Sequence, residues 1–325
     1  MNNQPLHREE SSGGLHVVFG GTGAYGYAIV KSLLKKGAEV RAVVRNLEKA
    51  ENMMPEGVQI LKGDILDAES VANSCRNAST IYFCNNFPYS EWGKHYLYAL
   101  ENVLKGIEHP GTIVVFPGNV YGYGLLGADP VYESHLLNAV SRKGKIRNAM
   151  ESLLMEYHNK GRIHAVIPRF TDFYGPNVTN DLYGAMFRNA LKGNPVLWPL
   201  NADMPHSFTY VEDAAEASLL LADDPETFGQ VFHVTGALTT ARKFIAEVYQ
   251  ALEKPLKIRV ISKGSMRMMS LLNRNVRELM ELLYEYGEPY NIDDSKFTGR
   301  YPSFRHTPYE IGIKNTLKWF EESDM

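Results

Sequence analysis

Two cysteines, Cys75 and Cys84, stand in 325 residues. That is too few for a disulfide framework, and they form no CxxC pair that could hold a metal. Neither has the His–Asp surroundings that activate a thiol nucleophile. The ten histidines show no H-x-x-x-H or other ligand spacing, which argues against a metal site. No apolar run reaches the ~18 residues of a membrane span. Neither sign of charge dominates: 34 Lys and Arg face 37 Asp and Glu, a net charge of −3. Nucleic-acid and membrane-surface proteins carry a dense basic field, so both classes are set aside. Residues 1–14 are polar, lack the apolar core of a signal peptide and read as a disordered tail. The expectation is a soluble, reduced, cytoplasmic protein acting on a small molecule.

What is present is an ordinary globular composition on a chain long enough to bury a large core without staples. At ~150 residues per domain, the length suits two domains or one large α/β unit with an appendage. The pattern favours the second. Short apolar runs at 15–19, 40–44, 58–61, 80–84, 112–116 and 162–167 read as strands. Helical periodicity fits 25–36, 67–76, 91–106 and 138–160 between them. Repeated β-α-β units imply a parallel sheet covered on both faces. After Pro168 the rhythm breaks into a Gly-, Pro- and Asn-rich stretch. Helices follow at 181–192 and 212–222, with a strand at 230–234. The fold class is therefore α/β: a Rossmann-type doubly wound parallel sheet over 15–170, with a smaller substrate lobe over 171–325. Residues 212–234 return from that lobe to the sheet.

The most specific local signal is Gly20-Gly21-Thr22-Gly23-Ala24-Tyr25-Gly26, placed after a strand and opening a helix. Gly20 allows the tight turn, Gly23 lets the backbone approach a pyrophosphate, and Gly26 lets helix and strand pack closely. The N–H groups of Thr22, Gly23, Ala24 and Tyr25 lie where a helix N-terminus receives phosphate. The second strand ends in Val44-Arg45-Asn46 rather than in an acidic residue. Arg45 has the charge to pair with a 2′-phosphate, which favours NADP(H) over NAD(H). Asp64 and Ile65, after the third strand, stand near the expected adenine.

These residues carry a resemblance. The chain resembles the short-chain dehydrogenase/reductase superfamily, in its extended or atypical branch, the NAD-dependent epimerase/dehydratase family. Val120-Tyr121-Gly122 resembles the family's segment after the fifth strand. Phe173-Tyr174-Gly175-Pro176 resembles the loop that reaches nicotinamide and substrate. His206-Ser207-Phe208-Thr209-Tyr210-Val211 resembles the segment before the C-terminal lobe. The resemblance implies a Rossmann fold, a pyridine nucleotide and oxidoreductase, epimerase or dehydratase chemistry at a hydroxyl or carbonyl carbon, as in a nucleotide sugar. It places Tyr123, Phe173, Tyr174 and His206 near substrate. It also suggests a homodimer through the helices at 91–106 and 138–160.

The family's Tyr-x-x-x-Lys pair is altered. Aligned on Ser141-Arg142-Lys143-Gly144-Lys145, Lys145 takes the lysine position and faces the cofactor, while Ser141 stands in place of tyrosine. Serine is far too weak an acid to replace an activated phenol. Asn119 stands where a Ser or Thr would orient the substrate oxygen, and Tyr121 is the leading replacement acid, with Tyr123, Tyr132 and Tyr174 as others. Arg142 and Lys143 read as a solvated helix start. A non-catalytic NADP(H)-binding sensor is the alternative reading. The apolar residues from Met266 to Leu283 read as a helix pair packing the C-terminal lobe.

Overall fold

The computed structural model describes residues 14–127 and 129–323, so the expected tail, apart from Gly14, lies outside the described residues. Strands β1 (Leu15–Phe19), β2 (Val40–Val44), β3 (Val58–Lys62), β4 (Ala78–Phe83) and β5 (Thr112–Val115) alternate with helices. These are α1 (Ala24–Lys35), α2 (Leu47–Met53), α3 (Ala68–Cys75) and α4 (Trp92–Gly106). The short β6 (Gly118–Asn119), then α5 (Arg142–Asn159) and β7 (Ile163–Phe170) follow. Beyond them come β8 (Asp172–Tyr174), α6 (Tyr183–Leu191), β9 (Val196–Pro199), β10 (Pro205–His206), β11 (Phe208–Tyr210), α7 (Val211–Ala222) and β12 (Gln230–Val234). The last elements are β13 (Thr239–Thr240), α8 (Ala241–Ala251), β14 (Ile258–Ile261), α9 (Lys263–Leu272), α10 (Arg274–Leu279), α11 (Ser295–Arg300) and α12 (Tyr309–Ser323).

The main sheet is eight-stranded and runs β12-β7-β5-β4-β1-β2-β3, with β6 beside β7. All its pairings are parallel. Every residue of β1 is buried, as expected of a central strand covered on both faces. The chain starts at β1, builds outward to β3, then crosses back to β4. This reversal opens a crevice above the carboxyl ends of β1 and β4, the place where such sheets bind ligands. The Rossmann-type sheet with a C-terminal lobe is thus what the chain forms. Three two-stranded pairs, β8–β11, β10–β13 and β9–β14, belong to the later part of the chain.

Local chemistry explains the boundaries. Asp67 caps α3 by accepting hydrogen bonds from the backbone N–H groups of Glu69 and Ser70. α5 starts at Arg142 rather than 138, because the Ser141 hydroxyl accepts from the Gly144 N–H at 3.0 Å and closes the helix start there. Ser141 is therefore a cap. Gly144 is required by close approach: a Cβ on it would lie 2.3 Å from the Tyr121 carbonyl oxygen. The stretch from Met266 to Leu283 packs the lobe only in part. Met266, Leu282 and Leu283 are buried, whereas Met268, Met269, Leu271 and Leu272 are exposed.

Candidate active site

The glycine loop forms one wall of the crevice. Gly23 caps α1, is exposed and brings no side chain over the helix N-terminus, where no acidic residue occupies the first turn. A Cβ on Gly26 would sit 2.3 Å from the Gly20 carbonyl oxygen, so helix and loop meet backbone to backbone. The Thr22 carbonyl accepts a hydrogen bond from Asn177 Nδ2 at 3.1 Å, tying the loop to the segment after β8. This cradle fits a pyrophosphate. Tyr25 contributes only backbone to it: its hydroxyl pairs with Ser218 at 2.7 Å and its ring packs on Phe170 and Phe173. Arg45 is exposed at the end of β2. Asp64 turns back to accept from the Leu66 N–H at 2.9 Å, and Ile65 is buried with its carbonyl accepting from Asn102.

α5 forms the opposite wall, and it corrects the sequence alignment. Lys145 lies on the exposed side of the helix. The inward stripe is Lys143, Gly144, Arg147, Met150, Glu151 and Leu154. Helical positions four apart share a face, whereas Lys145 is two residues from each inward base and falls between them on the far side. The buried pair is therefore Lys143-x-x-x-Arg147, two residues out of step with the expected alignment. Lys143 is not a solvated helix start, because it is 0% exposed. Its ammonium donates to Glu278 at 2.8 Å and to Glu281 at 2.5 Å, and lies 5.0 Å from the Tyr89 ring centre. The lysine's hydrogen bond holds the Glu278 carboxyl below its ordinary pKa.

Arg147 is 5% exposed and sits over the rings of Phe116, at 4.5 Å, and Tyr96, at 5.7 Å. Its Nη2 donates to the Pro117 carbonyl, its Nε has no partner, and no carboxylate forms an ion pair with it among the described residues. Burial depresses its pKa. Phe116 and Pro117 follow β5. Tyr96 donates to Asn86 just beyond β4, at 2.7 Å. Arg147 thus lies at the strand ends bordering the crevice.

Beyond Lys143 the site is aromatic and acidic. The Tyr121 and Tyr89 hydroxyls lie 2.9 Å apart, and burial pushes both pKa values up, so both remain neutral phenols. Asn119 does not point its amide at this group; its side chain accepts from the Tyr121 N–H at 3.3 Å and caps the short turn there. His206 is buried on β10 with Nε2 3.0 Å from Asp172 Oδ2. Glu285 is buried nearby, and desolvation, reinforced by Asp172, pushes its pKa well up. The Tyr183 hydroxyl is buried without a partner. Two other clefts, of about 290 and 450 Å³, lie on the outer flank of α1 and α12 around Tyr27 and Trp319, and neither is lined by Lys143, Tyr121 or His206.

The model of the NAD dependent epimerase/dehydratase family matches residues 16–235. The chain belongs to that family. It is 21% identical over 336 residues to a UDP-N-acetyl-alpha-D-glucosaminuronate decarboxylase of Bacillus cytotoxicus, covering 94% of this chain and 97% of that protein. Among solved structures it resembles the UDP-glucose 4-epimerase of Thermus thermophilus, solved as a complex with NAD. The TM-score is 0.77, with 19% identity and 94% and 99% of the two chains covered. It also resembles the dTDP-glucose 4,6-dehydratase of Bacillus anthracis in complex with NAD, at TM-score 0.77 and 17% identity, covering 95% and 97%. Epimerase/dehydratase-family membership and its Rossmann fold are thus what the motifs implied. No helix among the described residues is long and apolar enough to cross a membrane.

Within this family member, two expected substrate residues lie elsewhere. Tyr174 is fully buried among Tyr210, Phe244 and Tyr309, in the lobe's core. Tyr123 is buried beneath the site, where its hydroxyl meets His233 Nε2 at 2.5 Å and receives Arg169 Nη1. Tyr132 is exposed. Phe173 stays half-buried beside the glycine-loop helix, stacked on Tyr25 at 5.7 Å.

The His233 network makes stability pH-dependent. Its Nδ1 lies 2.8 Å from the Asp293 carbonyl and must donate to it, and in the neutral ring Nε2 then accepts the Tyr123 proton. Burial lowers its pKa to about 4, with Arg169 and Lys296 adding to the effect and Asp293 opposing it. Glu133 faces the same residue, accepting from the His233 backbone N–H at 2.8 Å. An unfolded histidine titrates near ~6.5, so between there and about 4 the unfolded chain binds a proton that the folded chain refuses. Stability from this residue is complete above the unfolded value and is lost as pH falls through that window. Denaturant titrations at pH 7 and pH 5 should show a loss on the order of 2 kcal/mol that His233→Gln does not share. Equal slopes for the two proteins would exclude the neutral-ring assignment.

Proposed function

We propose that the chain is a pyridine-nucleotide-dependent enzyme working at a hydroxyl- or carbonyl-bearing carbon of a nucleotide sugar, with NADP(H) favoured. Lys143 and Arg147 take the places of the family's tyrosine and lysine. The observation that carries this reading is the buried pair itself: two bases four residues apart on the crevice face of α5, the inner one with no anionic partner. A bound nicotinamide supplies the exchange of hydride. Arg147, at the strand ends, is placed to hold the nicotinamide ribose or a neighbouring phosphate through its unused N–H groups. Lys143 Nζ is the proton source for a substrate oxygen once substrate displaces one of its three present acceptors, the Glu278 carboxylate, the Glu278 carbonyl and Glu281. The Asp172–His206 pair, the buried Glu285 carboxyl and the Tyr183 hydroxyl offer the mixed donors and acceptors that a sugar's hydroxyls require. Phe173 closes the space beside the glycine loop. The nucleotide-sugar class is supported by the printed activities of the decarboxylase and epimerase relatives.

The cofactor preference rests on Arg45, exposed where an acidic residue would otherwise meet the ribose 2′-hydroxyl. In fluorescence titrations NADPH should bind about tenfold more tightly than NADH. Arg45→Asp should remove that advantage, since a charge-assisted contact is worth ~1.5–3 kcal/mol. Equal affinities in the wild-type protein would refute the NADP preference. Turnover assays against nucleotide sugars and small ketones then test the chemistry, and cofactor binding with no turnover would leave the sensor reading in its place.

A further inference from the structure

The proposed chemistry leaves one distinctive surface unused. Residues 254–277 contain seven Lys and Arg and no Asp or Glu, in a chain whose net charge is −3. The whole-chain balance conceals this local field. α9 lies inside the stretch. Its inward positions are Met266 and Ser270, four apart. Met268, Leu271 and Leu272, three and four apart on the opposite face, are 72%, 73% and 95% exposed. Lys263 and Arg267, four apart, line one edge of this apolar face, and Arg259 on β14 and Arg274 at the start of α10 are exposed beside it. Two acids lie beside it, Glu278, which is turned inward to Lys143, and Asp181, which accepts a hydrogen bond from Asn275 at 2.6 Å, and the seven bases outnumber them.

We propose that α9 and its basic flanks form a docking face for an anionic lipid surface. Leucine and methionine side chains so fully hydrated are a standing cost that burial in an acyl layer removes, and the flanking bases lie where headgroup charge would be. A second copy of this chain is a poor occupant. A two-fold interface would set the same basic flanks against each other. Nucleic acid would satisfy the charge but leave the leucines in water. The lipid face does not depend on the proposed catalytic roles, because none of its residues belongs to that site.

The test is co-sedimentation of the full chain with phosphatidylcholine vesicles, with and without one-third phosphatidylglycerol. The wild-type protein should pellet with the anionic vesicles, weakly or not at all with the neutral ones, and less as salt rises. Met268→Glu combined with Leu272→Glu should lower partitioning at least tenfold, and Lys263→Glu combined with Arg267→Glu should abolish the dependence on phosphatidylglycerol. Unchanged cofactor affinity and melting midpoint show that each variant is folded. Absence of wild-type pelleting, or equal pelleting of wild type and variants, would overturn the proposal. So would a concentration-dependent dimer that Leu272→Glu dissociates in the absence of any vesicle binding.

Discussion

Lys143→Met should lower kcat by roughly 10²–10⁴-fold, the usual contribution of a positioned proton donor. Lys145→Met should leave kcat within about twofold, as expected of a solvent-facing side chain. The contrast matters because the two lysines are two residues apart and only one faces the site. Lys143 also balances Glu278 and Glu281, so its removal leaves two carboxylates facing one another. Both glutamates are partly solvated, at 18% and 28% side-chain exposure, so water can take over part of the lysine's role and the fold should persist. A merely structural lysine would lower the melting midpoint and spare the turnover of the folded fraction. A proton-handling lysine would lower kcat at constant cofactor affinity and remove one limb of the pH–rate profile. Arg147→Met should separate from it by raising the cofactor Kd, because its free N–H groups lie at the strand ends rather than beside the acids. Turnover unchanged in Lys143→Met would return the proton-donor role to the Tyr89–Tyr121 pair.

The sheet was legible because its strands are buried on both faces and read as unbroken apolar runs punctuated by glycine, so their ends fell within a few residues of the observed ones. The glycine loop was legible because close backbone approach admits few alternatives at Gly20 and Gly26. The register of α5 was not legible. Its inward stripe begins with Lys143 and Arg147, so the helix's first turns look polar all round, and the spacing Ser141–Lys145 mimicked the family pair. Counting back from the apolar Leu154 and Met150 by helical steps reaches Arg147 and then Lys143, and that was the signal available. Glu278 and Glu281 carried no comparable local signal, since they reach Lys143 across 135 and 138 residues. Tyr123 and Tyr174 were misplaced because motif position says where a backbone runs, not which way a ring turns.

Glu151→Ala should destabilise the protein by about 3–5 kcal/mol, the cost of stranding a buried charge. Glu151 on α5 pairs with Arg169 on β7, and both are almost wholly buried. Arg169 in turn donates to Tyr123, stacks against that ring at 4.7 Å and thereby orders His233. It also lies against β6: Gly118 and Arg169 are register partners, and a Cβ on Gly118 would approach the arginine side chain to 3.2 Å. The pair thus supports the turn that carries Asn119 and Tyr121, and its loss should reach the site as well as the melting midpoint. Chemical denaturation should place Glu151→Gln between wild type and alanine, because the amide keeps the shape and one acceptor while losing the charge. Replacing both partners with methionine should cost less than removing either alone, since no charge is then left buried. Glu156→Ala, which breaks the exposed pair with Lys160 just past the end of the same helix, should leave the midpoint unchanged. A loss from Glu151→Ala no larger than that from Glu156→Ala would show that water reaches Arg169, and that the floor beneath Tyr121 is held by packing alone.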